Sequence, residues 1–503
     1  MLFEIAAANP NALALDDLTR QCTWAELIDR ITRIAHLLRD GFGLRPDDHA
    51  ASLLGNRVEA IELTLGAILA GIWLTPINHH LQADEITYIV ADSGARVLFT
   101  DSQHEAVARQ SAAPNIVRVG DELDRALAAV SDYPMPLSGP AGATMIYTSG
   151  TTGRPKGVKR ARAASLGAAL SAASAAGMTL GLNGSGPHLI TGPAYHAAPL
   201  LFAVYDQING APIVLMPHWD AAQALRLIEE RGIRHTHLVP TMFVRLLRLE
   251  EPLRKAFDPS ALRLVLHGAA PVAAPVKQAM IEWWGEVLVE YWGATEGGVC
   301  TLVSSADWLA HPGTVGRATP NFEVLAVDDA GNRLPPGAVG ALYCRHKQLA
   351  RPFEYHNAAE KTAASYLEPG VFTIGDIGRV DADGYVYLTD RKSNLIISGG
   401  VNIYPAEVEH VLQQHPAVAD AGVFGIPDDE WGEVVKGAVE LIDGLRPSAQ
   451  LEAEILAFAR QHLASYKVPR SLDFEERLPR HPTGKLYIRR LRDRYWQGRE
   501  RKI

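Results

Sequence analysis

Cysteine is scarce: Cys22, Cys300 and Cys344 are the three in 503 residues, and no two have CxxC spacing. A disulfide framework is therefore excluded, and a reducing, cytoplasmic setting is predicted. Positive charge is not in excess either. Lys and Arg number 48 against 57 Asp and Glu, giving a net charge of −9 and a pI near 6.1, so nucleic acid is not an expected partner. Long apolar runs are missing. Leu63–Asn78 is uncharged but shorter than the ~20 residues a membrane-spanning helix needs. Ala163–Pro187 is long enough, yet its Ala, Ser and Gly suit a helix packed closely on another element. No transmembrane segment is predicted, which leaves room for peripheral membrane contact only. An early Glu4 and no basic start argue against a signal peptide, and Arg501-Lys502-Ile503 is not an SKL-type address. Internal repeats, low-complexity tracts and the GxGxxG, HExxH and GxSxG motifs are missing too.

What is present is alternation. A chain of 503 residues is too long for one core, so more than one domain is expected. Trp24–Arg39 and Val58–Ala70 repeat apolar residues at helical spacing, while Ala50–Leu54 and Arg96–Thr100 read as short strands. A second series of strands is predicted at His188–Thr191, Pro212–Met216, His235–Val239 and Leu262–Leu266, with helices between. This predicts an α/β fold with largely parallel sheets. From Gly313 to Leu388, Gly- and Pro-containing turns predict a small antiparallel β subdomain, and a compact α+β segment follows Asp390.

The densest signal is Tyr147-Thr148-Ser149-Gly150-Thr151-Thr152-Gly153-Arg154-Pro155-Lys156-Gly157. Its glycines let main-chain N–H groups approach an anion, its hydroxyls add short donors, and Lys156 adds a point charge. That is a polyphosphate cradle, though not a Walker A loop. In Tyr291-Trp292-Gly293-Ala294-Thr295-Glu296, an aromatic before a glycine lets a planar base stack while backbone comes close. His267-Gly268-Ala269-Ala270-Pro271 ends a predicted strand, which is where α/β sheets place ligands. Gly192-Pro193-Ala194-Tyr195-His196, Phe372-Thr373-Ile374-Gly375-Asp376, Asp390-Arg391-Lys392-Ser393, Ser398-Gly399-Gly400-Val401-Asn402 and Pro482-Thr483-Gly484-Lys485 complete the set.

In this order the motifs resemble those of the adenylate-forming superfamily of acyl-CoA synthetases, non-ribosomal adenylation domains and firefly luciferases. Within it, the chain is similar to fatty-acyl and related CoA ligases over nearly its whole length. The resemblance implies two αβ sheets plus a small β-barrel-like subdomain in an AMP-binding domain at 1–390. A small mobile α+β domain at 394–503 would swing on a hinge near 391–393, at Ser393. ATP would meet Thr148, Ser149, Gly150, Thr151, Thr152, Lys156, Gly268, Ala269, Ala270, Glu290, Tyr291, Trp292, Gly293, Ala294, Thr295, Asp376, Arg391, Asn402 and Lys485. Trp292, where tyrosine is usual, would stack on adenine and lose any hydroxyl contact. Asp376 would bridge the ribose hydroxyls, and Arg391 would touch ribose or phosphate. Glu296 and Thr148 would hold Mg²⁺. Lys485, reaching the α-phosphate and the substrate carboxylate, would act with Glu296, His196 and Thr148 in catalysis. The acyl pocket implied is His196, Ala197, Phe202, Phe243, His267 and Gly293. CoA would meet Ser398, Gly399, Gly400, Trp431, Tyr466 and Arg470.

The expected reaction joins a small-molecule carboxylic acid to CoA through an acyl-adenylate, with AMP and pyrophosphate released. Small residues Ala197, Ala198 and Pro199, and no cation among Phe202, Tyr205 and Phe243, point to a hydrophobic acid of the fatty or steroid and alicyclic kind. Two alternatives remain: a loader of carrier-protein phosphopantetheine, and a nucleotide-binding regulator without turnover. A homodimer is also open. His79-His80-Leu81-Gln82-Ala83-Asp84 imitates an HHxxxD acyl-transfer motif, but Glu85 stands where glycine should follow, and Asp84-Glu85 predicts a helix start. The basic tail, with ten Lys and Arg from Arg477 to Lys502, reads as a solvated helix face, with attraction of a phosphate-rich ligand as the alternative.

Overall fold

The helix that begins at Trp24 shows how the N-terminal part is assembled. Thr23 caps it in a reciprocal box with Glu26, and Trp24, Leu27, Ile31 and Ile34 form its buried stripe. It ends at His36, short of Arg39, where the chain widens into a π-helical turn at Leu37–Gly41. The neighbouring helix Val58–Ala70 has the bounds its periodicity predicts. A Cβ on Gly66 would lie 2.4 Å from Ile34, so only glycine permits this crossing. Glu59 and Glu62, buried on the same helix, are paired with Arg20, Arg30 and Arg57.

The computed structural model describes residues 2–148, 154–270, 272–391, 394–398, 401–428, 431–480 and 486–497, with the backbone alone at 390, 391 and 402. Alternation of strands and helices produces two sheets. One is wholly parallel, in the order Asn115–Arg118, Ala95–Thr100, His49–Leu53, Trp73–Pro76, Ala143–Thr144. The other has nine strands. Its parallel centre runs Leu288–Ala294, Leu264–His267, His235–Leu238, His188–Ile190, Ile213–Leu215, Leu13–Asp16, and antiparallel strands close both margins. The strand expected at Leu262 starts at Leu264, because the Leu262 N–H closes a 3-10 turn on the Pro259 carbonyl. Val265 faces Phe243 and Met280 on one side of this sheet; Leu264 and Leu266 face Phe202 and Tyr291 on the other.

The antiparallel subdomain is a six-stranded sheet that runs on to Arg391. A three-stranded sheet that no motif announces joins Ile146–Thr148, Lys156–Arg160 and Phe353–Tyr355. Beyond it the chain enters a separate five-stranded sheet built on the long antiparallel pair Val418–Asp428 and Gly432–Leu441. That sheet has its own apolar core, including Ile396, Leu412, Val439 and Ile455. The Arg248 guanidinium reaches it, donating to the Ala419 carbonyl at 3.2 Å. The Ala163–Pro187 stretch holds the helix Leu166–Thr179, and among the described residues no helix is long and apolar enough to cross a membrane.

Candidate active site

The predicted cradle is the turn of the hairpin Ile146–Thr148 and Lys156–Arg160, in which Thr148 pairs with Lys156. Ser149, Gly150, Thr151 and Thr152 lie outside the described residues. The helix Ala83–Ser93 braces both strands. The Tyr147 hydroxyl donates to Asp92 at 2.7 Å, and the Lys156 ammonium donates to the Tyr88 hydroxyl at 3.3 Å, which itself donates to the Pro155 carbonyl at 3.1 Å. Arg154 lies 4.9 Å over the Tyr88 ring. This helix starts at Ala83 with Asp84 and Glu85 in its first turn, so the HHxxxD imitation is a helix entry.

Glu296 stands on a tight turn between the antiparallel strands Leu288–Ala294 and Gly298–Ser304. Its Oε1 accepts from the Tyr355 hydroxyl at 2.8 Å, and burial together with this carboxylate raises the Tyr355 pKa. Tyr355 is delivered by strand pairing, opposite Val158 on the strand that carries Lys156. Among the described residues no three His, Cys, Asp or Glu side chains form a metal cage. A Mg²⁺ ion typically takes one or two carboxylates and completes its shell with substrate phosphates and water, and Glu296, beside the phosphate hairpin with its Thr148 hydroxyl, fits that need.

On the nucleotide side, the Trp292 indole N–H donates to Asp376 Oδ2 at 2.7 Å, so the residue lacking a phenol still supplies a donor. The indole is 5% exposed among Val158, Cys300 and Phe372, which leaves a base little of its face to meet. Arg391 pairs with Asp376 across two strands, and Asn402 pairs with Ile397 in the hairpin that follows. Gly268 is obligatory: a Cβ there would lie 2.7 Å from the Tyr291 carbonyl. Ala269 holds φ at +67°, a conformation costing a non-glycine residue roughly 1–2 kcal/mol and typical of functional turns. Ala270 continues this turn; Gly293, Ala294 and Thr295 lead into the Glu296 turn, with Gly293 packed against the Gly298 carbonyl. Two expected nucleotide contacts lie elsewhere. The Glu290 carboxylate is buried on the Lys277 ammonium at 2.6 Å. The Tyr291 ring turns to the opposite face of its strand, where its hydroxyl meets His237 Nε2 at 3.1 Å beside Phe202.

The acyl-pocket candidates divide between two places. His196 precedes the helix Ala197–Ile208, half-buried, its ring 4.5 Å from that of Tyr195. Asn56, which no motif marks, straps this turn: its amide donates to the Gly192 and Met216 carbonyls at 2.9 Å and accepts from the Ala194 N–H at 2.8 Å. Ala197 opens the helix and Phe202 lies one turn on, against Tyr291 and His237. Burial lowers the His237 pKa to about 3, so its ring is neutral. Phe243 and His267 instead pack ring to ring, 5.1 Å apart, in the core across the sheet. Burial holds His267 neutral as well.

The C-terminal candidates are partly gathered. Ser398 pairs with Gly432, and the next residue back, Trp431, is exposed and donates its N–H to Asp428, which also accepts from Arg470 at 3.1 Å. Tyr466 is exposed on a 3-10 turn before Arg470. Ser393, Gly399, Gly400 and Lys485 lie outside the described residues. Tyr487 lies near enough to Tyr195 and Glu85 for electrostatic contact, which brings this end of the chain to the His196 turn.

With this geometry in place, similarity to known proteins can be weighed. A family model for AMP-binding enzymes matches residues 2–353, and one for the AMP-binding enzyme C-terminal domain matches 407–485. The chain is 34% identical over 495 residues to a fatty acid acyl-carrier-protein ligase of Streptomyces coeruleorubidus, covering 96% of this chain and 93% of that one. It is 33% identical over 488 residues to a long-chain-fatty-acid CoA ligase of Mycobacterium tuberculosis, covering 94% and 93%. The fold superposes with a TM-score of 0.83 on o-succinylbenzoate CoA synthetase from Bacillus subtilis in complex with its acyl-adenylate, at 29% identity over 100% and 99% of the two chains. The chain belongs to the AMP-binding enzyme family, as an ATP-dependent acid–thiol ligase of the adenylate-forming superfamily.

Proposed function

We propose that the enzyme activates a hydrophobic monocarboxylic acid, of the fatty or alicyclic kind, and transfers it to CoA. The carrying observation is that the described side chains packed around Phe202, one turn beyond His196, are apolar or neutral. His237 is neutral, and Leu182, Leu264 and Leu266 surround Phe202 and Tyr291. The nearby buried Lys277 is spent on Glu290. A second carboxylate on the substrate would enter this cluster unpaired, at a cost of several kcal/mol.

Lys156 and the hairpin hold the phosphates, Asp376 the ribose, and His196 orients the carboxylate for in-line attack at the α-phosphorus. Glu296 and Thr148 would hold Mg²⁺, which would neutralise phosphate charge. Lys485 enters with the C-terminal segment for this step, and the segment then turns about 391–393 to present Ser398, Gly399, Gly400, Trp431, Tyr466 and Arg470 to CoA. The fatty acid acyl-carrier-protein ligase among the relatives gives a second acceptor some weight. Acid-dependent ATP–pyrophosphate exchange over fatty, alicyclic, aryl and dicarboxylic acids tests the substrate, followed by thioester formation with CoA and with holo-carrier protein. Exchange strongest with a dicarboxylic acid would refute the apolar reading, and exchange with no acid would refute turnover.

A further inference from the structure

One cation beside Glu296 has no task in the mechanism above. Lys361 lies on the helix Ala359–Ala364, and its ammonium sits 3.9 Å from the centre of the Tyr355 ring, whose hydroxyl donates to Glu296 at 2.8 Å. It forms no ion pair with any described residue, and neither does Lys156. Burial lowers the Lys361 pKa, the Glu296 carboxylate raises it and the Lys156 ammonium lowers it, so the three groups share one electrostatic neighbourhood. Two half-buried ammoniums that feel each other are unfavourable together until an anion joins them. The aromatic face recovers part of the lost hydration without cancelling the charge, which a carboxylate partner would do.

We propose that Lys361 is a second polyphosphate-binding lysine, in the same neighbourhood as Glu296 and Lys156, which holds the β- and γ-phosphates of ATP and the departing pyrophosphate. This rests on the hairpin being the phosphate site. As a substrate carboxylate oxygen bonds to the α-phosphorus, the bond to the bridging oxygen breaks and its electron pair leaves on pyrophosphate. An ammonium fixed beside the leaving group stabilises that charge in the transition state.

Pyrophosphate is the direct probe, titrated calorimetrically into the full-length protein with AMP as the control ligand. Lys361→Met keeps the apolar stem against Tyr355 and removes the charge; Lys361→Arg keeps the charge. The expected result is a pyrophosphate Kd weakened by about 10–100-fold in Lys361→Met, with a shallower salt dependence, AMP affinity retained and Lys361→Arg near wild type. Equal loss of AMP and pyrophosphate would mark a structural role and overturn the proposal. Lys156→Met separates the remaining outcomes. If it weakens pyrophosphate and Lys361→Met does not, the second lysine is refuted alone. If neither weakens it, the hairpin is not the phosphate site, and the underlying reading falls as well.

Discussion

Single residues carry their roles through partners far away in the chain. Trp292 and Asp376 are 84 positions apart, and their bond of 2.7 Å lies within the buried wall between sheet and subdomain. If Asp376 binds the ribose, Trp292 fixes which of its oxygens faces the nucleotide. Trp292→Phe keeps an aromatic ring and removes the donor. A hydrogen bond to a charged group contributes about 1.5–3 kcal/mol, so KM for ATP should rise about ten-fold or more while kcat at saturating ATP holds. Steady-state kinetics checks this, and an unchanged KM would leave the bond purely structural. The family was legible in sequence because the order of its motifs is so specific. Tyr355, Tyr88 and Asn56 were not: Tyr355 lies 59 positions from Glu296, and only the pairing of Phe353–Tyr355 with Lys156–Arg160 brings them together.

Among elements, periodicity placed the helix Val58–Ala70 and four of the six central strands to within two residues, since each has one dominant pattern; Leu13–Asp16 and Leu288–Ala294 it did not mark. It could not show which face of a strand meets which helix. Tyr291 and Glu290 alternate on one strand, and alternation sends the acid to Lys277 and the phenol to His237. The strand His235–Leu238 therefore carries a buried neutral base at the sheet centre, with a stability signature. Burial, with a smaller influence from His188, lowers the His237 pKa from 6.5 to about 3, so below pH 6.5 the unfolded chain binds a proton that the folded chain refuses. Stability from this group is complete above pH 6.5 and is lost as pH falls toward 3. At pH 5.5 the loss is about 1.4 kcal/mol. His237→Gln, which keeps a polar group for Tyr291, should destabilise the protein at pH 7.5 and do so by about 1.4 kcal/mol less at pH 5.5. Urea unfolding of both proteins at the two pH values measures the difference; a gap independent of pH would mean that His237 is protonated in the fold.

At the scale of the molecule, the separate core around Ile396, Leu412 and Val439 lets the C-terminal sheet keep its structure whatever its position over the larger one. Among the described residues its contacts with the larger part include one bond from Arg248 and the packing of the helix Pro405–Gln413 against the strand Val386–Arg391. Under the proposed mechanism the unit would have to move: adenylation would place a cation over the α-phosphate, and a thiol would reach the same carbonyl only once that cation withdraws. Lys485→Ala should then reduce acid-dependent ATP–pyrophosphate exchange by ~10²–10³-fold, as loss of one oxyanion donor does. The same variant, given a synthetic acyl-adenylate, should transfer the acyl group to CoA at the wild-type rate, since by then the lysine has moved away. Rapid-mixing assays of the two half-reactions separate the cases. A parallel fall in both would mean that the lysine stays at the site throughout, and that no exchange of arrangements divides the two steps.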